Sequence, residues 1–187
     1  MRIVRAGQAD WQLVRAARLR SLAADPSAFG STLQRELAFT DAEWQDRLRT
    51  ATWFLALPDP AADPPPDPPP GQPADPTPDP AADPADPADP VGVTLIRPLT
   101  GENADFEINA MWVAPELRGQ RIGEALLGAA LAGATEAGAR TVRLWVTVGN
   151  TGAAALYTRY GFKPTGRSGP LHSDGQLTCA EYLLAVG

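Results

Sequence analysis

The sequence predicts a mixed α/β sheet flanked by helices, and three observations carry that expectation. Apolar residues alternate between a period of two and a helical period along the chain, in the order β-α-α-β-β-β-α-β-α-β. The stretch 106–148 reads strand, helix, strand, a crossover that should pair its two strands in parallel with a right-handed connection. The chain has 187 residues, 44% hydrophobic and 20% charged, enough for one core of ordinary size, so a single domain over 1–187 is expected.

Each element has its own signal. Ile3-Val4-Arg5 alternates as a short strand, and Asp10 is placed to cap a helix with apolar positions Trp11, Val14, Ala17 and Leu22. Thr40-Asp41-Ala42-Glu43 is a capping box, in which Thr40 and Glu43 satisfy each other's backbone donors and open a helix to about Arg49. Thr52 to Leu57 and Val91 to about Leu95 read as two strands of a hairpin whose turn has been replaced by a long insertion, 58–90. Such an insertion costs little, because loop-closure entropy grows only logarithmically with length. Phe106 to Val113 is a strand halted by Pro115, and a helix follows from about Ile122 through Ala137, with Gly138 as its C-cap. Val142 to Val148 alternates as a strand. Asn150 then caps a helix with Ala153, Leu156, Tyr157 and Tyr160 on one side, closed by Gly161, and a last strand runs from Leu177 to about Val186.

The insertion dominates the composition. It holds 15 of the 20 prolines and eight aspartates, with no aromatic, Val, Ile, Leu, Lys or Arg, so it lacks the apolar surface that would offset the entropy of ordering. Without its eight aspartates the net charge of −6 becomes +2. The acidity is therefore local, and neither it nor the rest of the chain supports nucleic-acid binding. No apolar run is long enough to span a bilayer and the N-terminus lacks a signal-peptide pattern, so a cytoplasmic protein without membrane attachment is expected. One cysteine, Cys179, and one histidine, His172, give neither an intramolecular disulfide nor a metal-ligand cluster, and no metal is expected. Cys179 reads as a small buried hydrophobe in the last strand.

The segment Pro115-Glu-Leu-Arg118-Gly119-Gln120-Arg121-Ile122-Gly123-Glu124 joins a strand to a helix N-terminus. Unpaired N–H groups and the helix dipole favour an anion there, and the glycines let backbone approach a ligand closely. The alternative is a glycine-containing turn without a ligand. Downstream, Asn150-Thr-Gly-Ala153-Ala-Ala-Leu156-Tyr157-Thr-Arg-Tyr160-Gly161-Phe162 follows. Together these strings resemble the GNAT superfamily of N-acetyltransferases, whose acetyl-CoA loop reads Gln/Arg-x-x-Gly-x-Gly/Ala and whose second string reads Asn-x-x-Ala-x-x-Leu-Tyr-x-x-x-Gly-Phe. The second string matches in full. In the first, Arg121 stands where the family has its first glycine, which argues against a positive φ at 121 but leaves the main-chain donors in place.

The resemblance covers 106–162 closely and implies a mostly antiparallel sheet with a parallel, splayed central pair. It implies that the strand ending Met111-Trp112-Val113 carries a bulge, parts from the 142–148 strand and binds the pantetheine arm of acetyl-CoA through its backbone. Arg118, Gly119, Gln120, Arg121, Ile122, Gly123 and Glu124 would hold the pyrophosphate, with Asn150 and Ala153 alongside the cofactor. Asn150 has a second reading as a plain N-cap. Tyr157 would protonate the departing thiolate, against a reading as a packed aromatic beside Leu156. Glu107 would be the general base, against a reading as a solvated strand residue. His172, in a polar loop from Arg167 to Gln176, is a weaker candidate in the acceptor region.

The implied reaction is direct attack of a primary amine on acetyl-CoA, with a small-molecule acceptor and a monomer or homodimer as the working unit. Glu36, Asp41 and Asp174 are candidate attractors for a cationic amine. A protein N-terminal or lysine acetyltransferase is the alternative, and a non-catalytic acyl-CoA-binding or interaction domain is the rival of another class.

Overall fold

The computed structural model describes residues 1–59, 89–171 and 173–186. Their strands are β1 (Arg2–Arg5), β2 (Thr52–Leu57), β3 (Gly92–Pro98), β4 (Phe106–Val113), β5 (Thr141–Thr147), β6 (Lys163–Leu171) and β7 (Asp174–Ala185). The helices are α1 (Trp11–Ala24), α2 (Leu33–Leu37), α3 (Asp41–Thr50), α4 (Ile122–Glu136) and α5 (Thr151–Arg159). One sheet runs β1-β2-β3-β4-β5-β7-β6, with β4 and β5 parallel and every other neighbour antiparallel.

The sheet is covered on both faces, which is why β2 reads as a continuous apolar run. Phe54 meets α4 at Gly133, where an added Cβ would lie 2.8 Å from the Phe54 ring, so only glycine permits this approach. Trp53 lies on the other face, its indole N–H donating to the Arg47 carbonyl of α3 at 3.2 Å. Val14 and Leu22 of α1, Trp44 of α3, Leu55 of β2 and Leu126 and Leu127 of α4 are buried in the core.

Local signals account for most boundaries. Thr40 and Glu43 form the expected capping box, with the Thr40 N–H donating to Glu43 at 2.7 Å and the Glu43 N–H to Thr40 at 3.3 Å. Gly138 and Gly161 close α4 and α5 at φ +84° and +90°. The expected hairpin is present, with Ala56 opposite Gly92, and residues 60–88 of the insertion between them lie outside the described residues.

Three expectations need correction. Asp10 does not cap α1: its carboxylate accepts from the Gly7 N–H at 2.7 Å and closes a 3-10 turn over Gln8–Asp10. The short helix α2 went unread because its five residues offer little more than one turn of periodicity, although Thr32 caps it. The loop expected from Arg167 to Gln176 is instead largely strand, the end of β6 and the start of β7; the two prolines and two glycines of β6 are turn signals, and an exposed edge strand is where a sheet tolerates them. No helix among the described residues is long and apolar enough to cross a membrane.

Candidate functional site

β4 and β5 pair only at Phe106 with Val142 and Glu107 with Arg143, and beyond that point they part. Two features drive the separation. The register of β4 on β3 shifts between Val93 and Leu95, where β4 carries one residue more, and Ala110 adopts φ +55°. This is the bulge that the family resemblance implies, and it turns the end of β4 away from its neighbour. On the other edge, β5 pairs with β7 along its whole length, so it cannot follow β4.

The gap opens into a cleft of about 760 Å³ walled by Ile108 to Met111 of β4, Leu144 to Thr147 of β5 and Asn150, Ala153 and Tyr157. Its far end reaches Phe29, Glu36 and Phe39. Trp112 does not line the cleft. It is buried, and its indole N–H donates to Asp25 at 2.8 Å.

At the closed end of the wedge, Glu107 is 4% exposed. Its carboxylate accepts from Asn109 at 2.7 Å, Arg97 at 2.8 Å and Arg143 at 2.5 Å. Arg143 also pairs with Glu102, and Glu181 lies 3.8 Å from it. Burial pushes the Glu107 carboxyl up, but the Asn109 amide and the two guanidiniums outweigh it and hold the group below the ordinary glutamate value. The expectation of Glu107 as a base meets this objection: a carboxylate so stabilised has little tendency to take a proton.

The loop between β4 and α4 is where an anion site is expected. After a 3-10 turn over Pro115–Leu117, Gly119 (φ +83°) and Arg121 (φ +61°) both take left-handed conformations. Arg121 therefore does adopt the backbone that glycine would adopt more easily, at a cost of about 1–2 kcal/mol. As a result the main-chain N–H groups of Gly119 to Glu124 have no acceptor among the described residues, and the next amide, Ala125, bonds Arg121 at 3.0 Å. Six consecutive free donors at a helix N-terminus form a ready anion cradle.

Side chains around the cradle fix its position. Arg118 donates to the Val113 carbonyl at 3.1 Å and pairs with Asp25, so its guanidinium pins the loop to the segment after α1. Glu124 accepts from Arg159 at 2.8 Å and its carbonyl from Tyr160 at 3.1 Å, tying the start of α4 to α5. Ile122 is buried, Gln120 is exposed, and Gly123 faces Leu156 and Val113.

Asn150 acts as the N-cap of α5, its side chain accepting from the Ala153 N–H at 3.1 Å. That cap sets the helix start and so the side of α5 that Tyr157 presents to the cleft. The Tyr157 ring is buried and meets Phe162 edge-on at 5.9 Å, and burial drives its phenol pKa well up. The hydroxyl therefore keeps its proton across the working pH range. Cys179 is buried in β7, and His172 lies outside the described residues.

The Acetyltransferase (GNAT) family model matches residues 39–162. The chain belongs to that family. An uncharacterised N-acetyltransferase of Methanocaldococcus jannaschii is 46% identical over 57 residues, 30% of this chain and 25% of the relative. A Bacillus subtilis protein assigned as a ribosomal protein bS18-alanine N-acetyltransferase is 39% identical over 62 residues, 33% of this chain and 41% of the relative. The matched stretches thus cover less than half of either relative. A Streptococcus pneumoniae GNAT acetyltransferase structure matches 100% of this chain and 99% of its own with TM-score 0.69 at 18% identity. A Salmonella typhimurium protein assigned as an acetyltransferase and solved with acetyl-CoA covers 100% of this chain and 94% of its own, with TM-score 0.66 at 14% identity. At these identities the likeness is one of fold, and both share it over nearly their whole length.

The positive charge at the far end of the cleft was not read from the sequence. Arg18, Phe29, Arg35, Phe39 and Arg47 all line the far end of the cleft. One signal was visible: Val14, Arg18 and Leu22 are four apart on α1, which places an arginine in the middle of its buried stripe.

Proposed function

We propose that this GNAT chain is an acetyl-CoA-dependent N-acetyltransferase acting by direct attack of a primary amine, with a small molecule as acceptor. The observation that carries the reading is the splayed β4–β5 wedge with Tyr157 in its cleft, followed along the chain by a β4–α4 turn whose amides 119–124 have no acceptor among the described residues. The residues fit acetyl-CoA: an anion cradle sized for main-chain donors adjoins a strand, β4, that has lost its neighbour beyond Glu107. Gly119 to Glu124 would hold the pyrophosphate, Arg121 adding a positive charge, and the β4 backbone at Met111 to Val113 would hold the pantetheine arm. Acetyl-CoA, when bound, supplies an activated acyl thioester.

The chain's own tasks are to orient the amine, leave its proton a path to solvent and neutralise the sulfur as charge grows there. Tyr157, held protonated by burial, donates its hydroxyl hydrogen toward that sulfur. Glu107 and Arg143 lock the wedge at its apex rather than take a proton, and the amine loses its proton to solvent at the cleft mouth. A protein N-terminus is the second reading. The names of the Bacillus subtilis relative and of a Brucella melitensis structure, a ribosomal-protein-alanine N-acetyltransferase with TM-score 0.61, favour it.

A thermal-shift titration tests the cofactor. At about 100-fold excess over Kd, CoA should add about 2.7 kcal/mol, a rise of roughly 5–10 °C for a chain of this size. No shift at millimolar CoA ends the transferase reading. Gly123→Val should weaken this binding about tenfold or more with the far-UV spectrum intact, since the added methyls meet Leu156 and Val113 and crowd the cradle. Loss of fold instead would assign Gly123 to packing.

We also propose that residues 1–187 form one domain with 58–90 inserted in the β2–β3 hairpin. Its flanks support this, because Ala56 is already opposite Gly92 and the Val91 N–H bonds the Ala56 carbonyl at 2.8 Å. Replacing residues 60–88 by a short glycine-containing turn should leave the melting temperature and acetyl transfer within about twofold. Unfolding of the shortened chain would show that the tract belongs to the domain.

A further inference from the structure

The far end of the cleft is cationic, opposite in sign to what an acceptor site for a bare amine would need. Arg18, Arg35 and Arg47 line it, with Glu36 as the one carboxylate among them. Glu36 is 1% exposed and already committed: Arg18 binds it in a fork, Nη2 to Oε1 at 2.9 Å and Nε to Oε2 at 3.1 Å, and Arg47 lies 3.7 Å away. Asp41, expected to draw in a cation, is an exposed residue at the start of α3 and not part of the cleft wall. At the opposite end, Arg97 and Arg143 are balanced by Glu107 with Glu102 and Glu181 behind it. The unbalanced charge is therefore local to the three arginines.

Two of these guanidiniums are packed in place and each keeps one buried nitrogen without an acceptor among the described residues, while Arg35 is exposed beside them. Arg18 is 5% exposed, stacks on Phe29 at 4.6 Å, and its Nη1 is buried with no hydrogen-bond partner among the described residues. Arg47 is packed against Phe39, Trp44 and Trp53 at 5.2–5.6 Å, and its Nε is likewise buried and unpartnered. Desolvation lowers the Arg47 pKa, and Arg18 and Arg35 lower it further by repulsion against the pull of Glu36. Buried donors without acceptors and like charges under mutual repulsion are both relieved by an anion, and forked guanidiniums suit a carboxylate or phosphate best.

We infer, resting on the transferase reading of this cleft, that the acceptor amine also carries an oxyanion, which docks against Arg18, Arg35 and Arg47. Phe29, Phe39 and Trp53 on the same wall give its apolar portion a surface. The segment after α1 bridges over this end, with Thr147 donating to the Ser27 carbonyl at 3.3 Å and Ser173 donating to that of Phe29. That bridge favours a small acceptor over an extended polypeptide.

The test compares matched ligands by calorimetry on the CoA-loaded protein and by initial rates with acetyl-CoA. The probes are phenylalanine, phenylalaninamide and phenethylamine, the same series built on a straight-chain ω-amino acid, and aminoalkylphosphonates as the phosphate-like arm. The acid or phosphonate member should bind about 30-fold more tightly than its amide in at least one series, the gain appearing in KM rather than kcat. Whichever arm shows it identifies the oxyanion. Arg35→Gln, an exposed position that the fold tolerates, should reduce that acid-over-amide ratio at least fivefold. Arg18→Lys should reduce it further where the variant folds.

Equal affinity for acids, phosphonates and amides, with CoA binding intact, overturns this inference and leaves the transferase reading standing. Acid-selective binding in a protein whose melting temperature ignores CoA would do the reverse. A peptide N-terminus acetylated in preference to every small acid in the panel would also overturn it.

Discussion

Tyr157→Phe should lower turnover by about 10²-fold while leaving the affinity for acetyl-CoA within about twofold, the range expected for a lost general acid. Phenylalanine keeps the ring, so the edge-on contact with Phe162 and the buried position on α5 survive, and the experiment isolates the hydroxyl. Burial raises the Tyr157 pKa, so the phenol gives up its proton reluctantly, and its donation should matter most when negative charge on sulfur is greatest. The defect should therefore depend on the leaving group. An acetyl donor with a more acidic thiol needs less help and should recover part of the lost rate. Wild-type turnover in the mutant, under conditions where chemistry limits the rate, would reduce Tyr157 to a packing residue.

The same raised pKa has a consequence for the rate profile. Because the phenol stays protonated through the alkaline range, deprotonation of Tyr157 should not set the upper limb of kcat against pH. A limb near the ordinary tyrosine pKa of about 10 that vanishes in Tyr157→Phe would contradict the burial seen here.

How far the sequence carried this site depends on whether a feature is local or arises from assembly. The helix caps at Thr40 and Asn150, the left-handed glycines at 138 and 161 and the boundaries of β4 are local, and each was legible as a short string. The bulge and the splay of β4 from β5 were legible only through family resemblance. Nothing in Phe106 to Val113 alone shows that Ala110 takes a positive φ. Arg121 shows the opposite limit, since its identity argued against φ +61°, yet the turn into α4 imposes it. The charge at the far end of the cleft was not legible at all. Arg18, Arg35 and Arg47 come from three helices, and Glu36, read as a free acidic attractor, turns out to be neutralised by two of them. Long-range pairing of this kind leaves no periodicity to read.

Glu107 was legible as a candidate base, and Glu107→Gln separates that role from the apex lock proposed for it. The amide keeps the shape but removes the charge facing Arg97 and Arg143, and it leaves Arg143, 6% exposed, with Glu102 and the more distant Glu181. Breaking a buried ion pair on one side costs about 3–5 kcal/mol, and the surviving partners of Arg143 place this case near 3. For 187 residues that corresponds to a melting temperature lower by roughly 6–12 °C. The loss should depend on pH in one direction. Glu107 is held below its ordinary value when folded, so its stabilising charge is fully present above the unfolded glutamate pKa of about 4.3 and disappears as pH falls through the lower folded value. Wild type and mutant should therefore differ by a constant amount above about pH 5.5 and converge in acid. Activity separates the two roles. An apex lock predicts that the folded mutant, assayed well below its melting temperature, keeps turnover within about tenfold with an unshifted acidic limb. A general base predicts a loss of 10²-fold or more at full stability, because a buried carboxylate that takes protons is replaced by an amide that cannot.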